Sequence, residues 1–407
     1  MENFFSLSIL NALNVLLPLV TLPYILHTVG RANYGVYSYV YVVLQYVILF
    51  STYGFNFSAT KQISQCRDNK EAVTRIYNAV IVCKSVIAVA LSALLLLFSR
   101  LVFKDEAGVL MFFYGLGMVV GDIFTPVWLF QGMEKMKYMT IVNASSKILF
   151  TVLIFIVVRT SNDFQLLILL NSFGYILAGL LSLVLVHTQF NIRFHRITFS
   201  DIIFQFKDGS AVFGSTFGMN LYRNANIIIL KQFVSDDLVG LYSAAEKVIK
   251  GIQSIISPAA QALFPHLSQR FKGLSVIECT RLIRKISLPF TAVVLVVSLG
   301  VYIFAPLISE LLCGKEFTAC VPFIRIMTLV ILFGEINYLL GIVGLVNMNG
   351  QTLFFRSVLV TGCFSVVFML LCVPYWGVTA AAWAMSLSEM LLFCLCLFSL
   401  YRINEHK

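Results

Sequence analysis

The chain has 407 residues, of which 59% are apolar and only 12% charged, with a formal net charge of +10. Soluble domains carry roughly 25% charged residues, so there are too few polar groups here to wet a surface, and lipid must cover it. The basic residues sit in short loops between apolar runs and not along one stripe, which argues against nucleic-acid binding and for orientation in a bilayer.

Met1 to Phe5 contain no Lys or Arg, and the apolar run continues to about Leu26 without a small-residue cleavage site. This stretch reads as a first membrane helix and not as a removable signal. A crossing helix needs about 20 mostly apolar residues. That ruler gives spans near 6–27, 34–58, 76–98, 107–130, 139–158 and 164–187, then 210–231, 238–264, 286–308, 322–346, 356–374 and 376–401. The expected fold is therefore an all-α integral membrane protein of about twelve transmembrane helices in two six-helix bundles. The N-terminal lobe is expected over 1–190, a linker over 191–209 and the C-terminal lobe over 210–407.

Loops on the side of the termini hold 17 Lys and Arg, against 6 on the opposite side. That bias places both termini in the cytoplasm. The halves also resemble each other faintly. Gly35-Val36-Tyr37-Ser38 and Gly240-Leu241-Tyr242-Ser243 open the second and eighth spans at an offset of 205 residues. A parallel repeat of this kind commonly places a substrate path between its lobes.

Cys83, Cys363, Cys372, Cys394 and Cys396 fall in apolar spans, where a thiol acts as a small hydrophobe. Cys313 and Cys320 share one short loop and could pair if that loop faces an oxidising compartment. No CxxC or Cys/His cluster is present, so no metal site is expected.

Charge within a span is costly and needs a reason. Lys84 and Lys147 lie about eight residues in from the cytoplasmic end, roughly 12 Å deep at 1.5 Å per residue, so their stems can snorkel part of the way. Arg223 and Lys250 lie nearer the midplane and suit a hydrated cavity better. Glu246 precedes Lys250 by one turn, so the two can pair along one helix face, while Lys247 points elsewhere. Asp122, Glu335 and Glu389 are the other deep groups, open to charge pairing across the bundle or to ion coupling. Pro18 and Pro23 in span 1, Pro126 in span 4 and Pro258 in span 8 are expected to interrupt their helices.

No Gly-rich phosphate loop, paired-carboxylate motif or nucleophile elbow appears, and all five histidines lie at span ends, in loops or at the terminus. No catalytic residue and no cofactor is expected, and an ATP-driven process would need a partner subunit.

Several stretches together resemble one family. The segment from Asn14 through Pro18 and Pro23 to Tyr24, followed by Val29-Gly30 and Tyr34-Gly35, looks like the opening of Wzx-type polysaccharide flippases. Tyr53-Gly54-Phe55-Asn56-Phe57-Ser58-Ala59-Thr60-Lys61, followed by Arg67-Asp68, resembles their second span exit and first cytoplasmic loop. Pro126-Val127-Trp128-Leu129-Phe130-Gln131-Gly132-Met133-Glu134 is similar to the end of their fourth helix. Ala245-Glu246-Lys247-Val248-Ile249-Lys250 and the run from Pro258 through Gln261 to Pro265 resemble their eighth. The region after Gly314 matches less distinctly.

The resemblance implies a two-lobed transporter of the multidrug/oligosaccharidyl-lipid/polysaccharide superfamily. Such proteins carry undecaprenyl-pyrophosphate-linked repeat units of O-antigen or a related glycan across a bacterial plasma membrane, alongside a polysaccharide polymerase and a chain-length regulator. On that basis Arg223, Lys250 and Lys247 are expected to meet the pyrophosphate or acidic sugars, with Lys84 and Lys147 near the cytoplasmic entrance. Two rival readings remain: a cation-coupled multidrug exporter of the same superfamily, which favours acidic groups in the cavity, and a membrane-embedded glycan-assembly enzyme, which needs a sizeable outward loop.

Overall fold

Backbone N–H and C=O groups in hydrocarbon must be satisfied within the segment itself, which leaves a chain of this composition only helices or a closed barrel. The computed structural model is helical, with no strand among the described residues. It describes the backbone at 2–103, 105–271, 274–348 and 350–405, and the side chains from 17 to 402 within these stretches except 211, 215, 221, 222, 259, 262–266, 268 and 269.

The helices are α1 Glu2–Thr52, α2 Phe55–Gln65, α3 Lys70–Leu97, α4 Ser99–Val102, α5 Glu106–Ile123, α6 Val127–Gly132, α7 Met136–Val157 and α8 Leu166–Gln189. They continue with α9 Phe199–Phe233, α10 Asp236–Arg270, α11 Val276–Cys313, α12 Val321–Asn337, α13 Gln351–Trp376 and α14 Val378–Glu405. A π-helical segment, Tyr338–Val346, continues α12 directly. The chain divides into two compact units, Met1–Phe217 and Gly218–Lys407.

Among the described residues, nine helical stretches are long and apolar enough to cross a membrane. The first, Leu17–Gln65, is 49 residues long, more than twice the roughly 20 needed for one passage. α9 and α10, at 35 residues each, are long enough but more polar. In both units the lipid-facing surface is apolar, the reverse of a soluble protein. On α11, Val296, Leu299, Ile303, Leu307 and Leu311 recur every three or four residues and are all exposed.

The helix interruptions differ from those expected at proline. α1 continues through Pro18 and Pro23, where the Thr21 hydroxyl donates to the Leu17 and Pro18 carbonyls. Its one non-helical residue is Gly30, with φ +77° and ψ 173°, a conformation closed to residues with a Cβ. The second passage ends at Thr52, before the expected 58, because Tyr53 turns the chain at φ +52°. α10 is helical through Pro258. Pro126 goes further than a kink: the helix stops at Ile123 and restarts at Val127. The expected turn near 374–377 is a single residue, Gly377 at φ +54°. Cys313 and Cys320 are both buried free thiols, with the Cys320 sulfur 3.3 Å from the Ser309 hydroxyl, so no disulfide joins them.

In the first unit Phe55, Ile63, Tyr77, Trp128, Leu129 and Val186 form one core cluster. In the second, Ile283, Ile336, Leu339, Leu345, Leu392 and Cys396 pack around the π-helical segment. α5 and α8 approach closely through small residues, as membrane helices often do. A Cβ at Gly121 would lie 2.2 Å from the Tyr175 carbonyl oxygen. Gly121→Val should therefore push these helices apart and destabilise the first unit by about 1–3 kcal/mol, read as a lower melting temperature in detergent. Val120→Leu, on the exposed face of the same helix, should leave it unchanged.

Candidate functional site

Each unit holds its own cluster of buried charge. In the first, the break at Pro126 ends α5 just beyond Asp122 and leaves carbonyls at the negative end of the helix dipole without intrahelical partners. Lys84 of α3, 1% exposed, meets that end. Its ammonium donates at 2.7 Å both to the Asp122 carboxylate and to the Asp122 backbone carbonyl. The Thr52 hydroxyl donates to the same carboxylate oxygen at 3.4 Å, and the Trp128 ring lies 5.1 Å from the Lys84 nitrogen. The Lys84 charge is thus held inside the unit by Asp122. Lys147 is half-buried midway along α7.

In the second unit, four helices bring their polar groups together. α9 carries Asn220, Arg223 and Asn224 at helical spacing, with Asn224 donating to Asn220 at 2.7 Å. α10 carries Glu246, Lys247, Lys250 and Ser257, α12 carries Glu335 and Asn337, and α14 carries Glu389. Lys250 pairs with Glu246 one turn earlier at 3.0 Å, as the spacing anticipates, and also donates to the Asn224 side chain at 3.0 Å. Arg223 lies 3.7 Å from Glu389. Asn337 fixes Glu389 by donating to its carboxylate at 2.7 Å and to its backbone carbonyl at 2.9 Å. The Ser257 hydroxyl donates to Glu335 at 2.6 Å. Lys247 is half-buried on the same helix as Lys250.

Exposure separates the roles these groups can play. The Glu389 side chain is 3% exposed while that of Arg223 is 51% exposed, and Lys250 stands at 37% against 7% for Glu246. In both pairs the carboxylate is the buried anchor and the cation is the accessible member. A guanidinium has five donors in a planar fork, so the half-exposed Arg223 can exchange Glu389 for an arriving anion. The adjoining π-helical segment is a type of irregularity that is frequent at functional sites.

Chain spacing alone exposes only the Glu246–Lys250 pair. Thr52, Trp128, Asn224, Ser257 and Asn337 join the clusters from distant helices. Their one sequence signal is a polar or amphipathic side chain inside an apolar span.

A protein-family profile described as "Polysaccharide biosynthesis protein" matches residues 1–271. The chain is 32% identical over 282 residues, 68% of each chain, to a protein of Escherichia coli (strain K12) described as an O-antigen transporter. It is 24% identical over 406 residues, 100% of each chain, to one described in the same way from Shigella dysenteriae. Among solved structures, the lipid II flippase MurJ in an inward closed conformation superposes with a TM-score of 0.70 at 12% identity, covering 98% of this chain and 87% of that one. An inward-facing multidrug resistance MATE family transporter of the MOP superfamily superposes with a TM-score of 0.67 at 13% identity, covering 99% and 98%. The fold is thus that of an all-α integral membrane protein of the MATE and MurJ type.

Lys84→Met strips Asp122 of its cation in a buried setting and should destabilise the first unit by about 3–5 kcal/mol. Adding Asp122→Asn should restore most of that loss, as measured in a double-mutant cycle of thermal unfolding in detergent.

Proposed function

Because the chain belongs to the polysaccharide biosynthesis protein family, we propose that it is a flippase for surface-polysaccharide repeat units in the bacterial inner membrane. The cargo is an O-antigen or related oligosaccharide linked to undecaprenyl pyrophosphate, moved from the cytoplasmic to the outer leaflet by alternating access. The E. coli and Shigella dysenteriae relatives support the class of cargo, and the MurJ-type fold suits a lipid-linked one. A polysaccharide polymerase and a chain-length regulator would act on what it delivers.

The observation that carries this reading is the half-exposed Arg223 guanidinium set on a buried Glu389. The pyrophosphate is the part of such a cargo most costly to take through hydrocarbon, and fixed cations offset its desolvation. A planar guanidinium can take two phosphate oxygens at once. Arg223, Lys247 and Lys250 are matched in number by Glu246, Glu335 and Glu389, so an arriving pyrophosphate competes with Glu389 for Arg223. That competition keeps the cluster closed to lipid when empty and lets it release cargo. Among the described residues, no connection between helices is long enough to supply the sizeable outward loop that a glycan-assembly enzyme needs.

A cation-coupled multidrug exporter remains the second reading, favoured by the burial of Glu335 and Glu389 at 3% and 2% exposure.

In a host lacking the gene, the wild-type chain should restore surface glycan. Arg223→Gln and Lys250→Gln should each lower export about tenfold, the loss of one charge-assisted contact, at normal protein abundance, with Arg223→Lys recovering part of it. Wild-type export by both neutral variants would remove these residues from the site. Unchanged glycan with altered drug tolerance in the deletion host would favour the exporter.

A further inference from the structure

A cavity of about 1240 Å³ opens in the first unit, away from the Lys84–Asp122 pair. Its walls are the last turns of α2, the first turns of α3 and the stretch 195–205 leading into α9. Both segments belong to the basic loops on the side of the termini.

Three properties define what it can hold. The first is positive potential. α3 and α9 both begin at the cavity, and the positive ends of their dipoles offset Glu71 and Asp201, the first-turn carboxylates that also line it. Lys70, His195 and Arg196 line it, are exposed, and form no ion pair among the described residues. Arg75 is spent differently: it pairs with Asp201 at 2.7 Å. Burial alone would raise the Asp201 pKa, but donation from the Thr198 N–H and hydroxyl and from Arg75 outweighs it and holds the carboxyl below its usual range. The Asp201 carboxylate is thus met by Arg75, and Lys70, His195 and Arg196, with Glu71 as the other lining carboxylate, are left for a ligand.

The second property is a lining of amides and hydroxyls, Gln65, Asn69, Thr74 and Ser200, together with one phenyl ring, Phe204, which is 57% exposed. Multiple neutral hydrogen-bonding groups beside an aromatic face suit a sugar ring. The wall is also fixed in place. Gln62 and Gln205 exchange amide hydrogen bonds at 3.2 and 2.9 Å, and Asn78 donates to the Arg193 carbonyl at 3.1 Å. Gly54 lies against the Gly209 carbonyl, where a Cβ would come within 2.2 Å.

The third is the rim. Phe194 and Phe199, next to the lining residues, are 83% and 75% exposed. Large exposed apolar rings beside basic residues suit the headgroup–acyl boundary of a membrane. The cavity volume exceeds the roughly 300–1,000 Å³ of a drug-sized site, which is room for several sugars.

We propose that this cavity docks the phosphorylated glycan headgroup of a lipid-linked substrate while its lipid tail stays in the membrane. Lys70, His195 and Arg196 take the phosphates, and the amide wall with Phe204 takes the sugars. The inference rests on the flippase reading and adds a waiting position that fills before the Arg223 cluster. The aromatic rim favours a lipid-borne headgroup over a free sugar phosphate, since a soluble ligand has no use for it.

The full chain in nanodiscs is titrated with geranyl-pyrophosphoryl-N-acetylglucosamine and, separately, with inorganic pyrophosphate. The same chain in liposomes is assayed for flipping of the geranyl compound across substrate concentrations. Lys70→Gln combined with Arg196→Gln should weaken binding of the lipid probe about tenfold and raise the half-saturating concentration for flipping, with the maximal rate and melting temperature unchanged. Phe204→Ser should weaken the lipid probe but not pyrophosphate. Lys61→Gln combined with Lys207→Gln, on the same face but outside the cavity, should change neither.

Wild-type binding and half-saturation in the Lys70/Arg196 double variant would overturn the vestibule while leaving the flippase reading intact. Loss of pyrophosphate binding with the lipid probe unaffected would reassign the cavity to a free phosphate and overturn the proposal. A wild-type chain that flips nothing and restores no surface glycan would instead sink the reading on which the inference rests.

Discussion

Water is absent from most of this protein's surroundings, so each ionised group must find its partner within the fold. That constraint organises both units. Lys84 satisfies the Asp122 carboxylate and the carbonyl at a broken helix end in one stroke. The break at Pro126, costly in hydrocarbon by itself, is tolerable because this cation and Thr125, whose N–H donates to the Asp122 carbonyl and whose hydroxyl donates to that of Gly121, meet the freed carbonyls. In the second unit Asn337 and Ser257 complete the hydrogen bonding of Glu389 and Glu335. With their anchors so fixed, Arg223 and Lys250 keep their charged ends accessible.

The same constraint gives the first unit two kinds of positive site. Lys84 is held by the Asp122 carboxylate and by the helix end it meets. Lys70, the first residue of α3, and Arg196, in the stretch before α9, are exposed where water can hydrate an unpaired cation, so they need no internal carboxylate. A deep lysine and an exposed lysine at a helix start thus differ less in chemistry than in what the surroundings demand of them.

Much of the helical architecture was legible in the sequence, because the ~20-residue ruler rests on the thickness of the bilayer. The Glu246–Lys250 pair was legible too, since helix geometry alone brings those positions together. The breaks were less so. Proline marks a missing N–H, but Pro18, Pro23 and Pro258 stay within helices while Gly30 and Tyr53 turn the chain. Local sequence cannot say whether a neighbour will re-satisfy a freed carbonyl. Arg223 with Glu389, and Lys84 with Asp122, each join helices distant in the chain, so only packing reveals which anion belongs to which cation. The π-helical segment at 338–346 has no proline or charged residue to mark it and reads as one more apolar stretch of its span. The cavity around Lys70 and Arg196 was hidden for a related reason, since its two walls come from loops read separately as orientation signals.

α10 and α11, at 35 and 38 residues, are far longer than the membrane requires. At 1.5 Å per residue each exceeds 50 Å, roughly 20 Å more than the hydrocarbon thickness. A helix cut to the width of its bilayer must tilt or deform the lipid whenever that width changes. These two can slide instead, exchanging one helical turn for another at the boundary without unwinding. What limits the slide is charge: Arg281, Arg284 and Lys285 on the opening turns of α11 resist being drawn into hydrocarbon. The vertical seat of α11 is therefore set by this cluster of cations and not by the length of the helix.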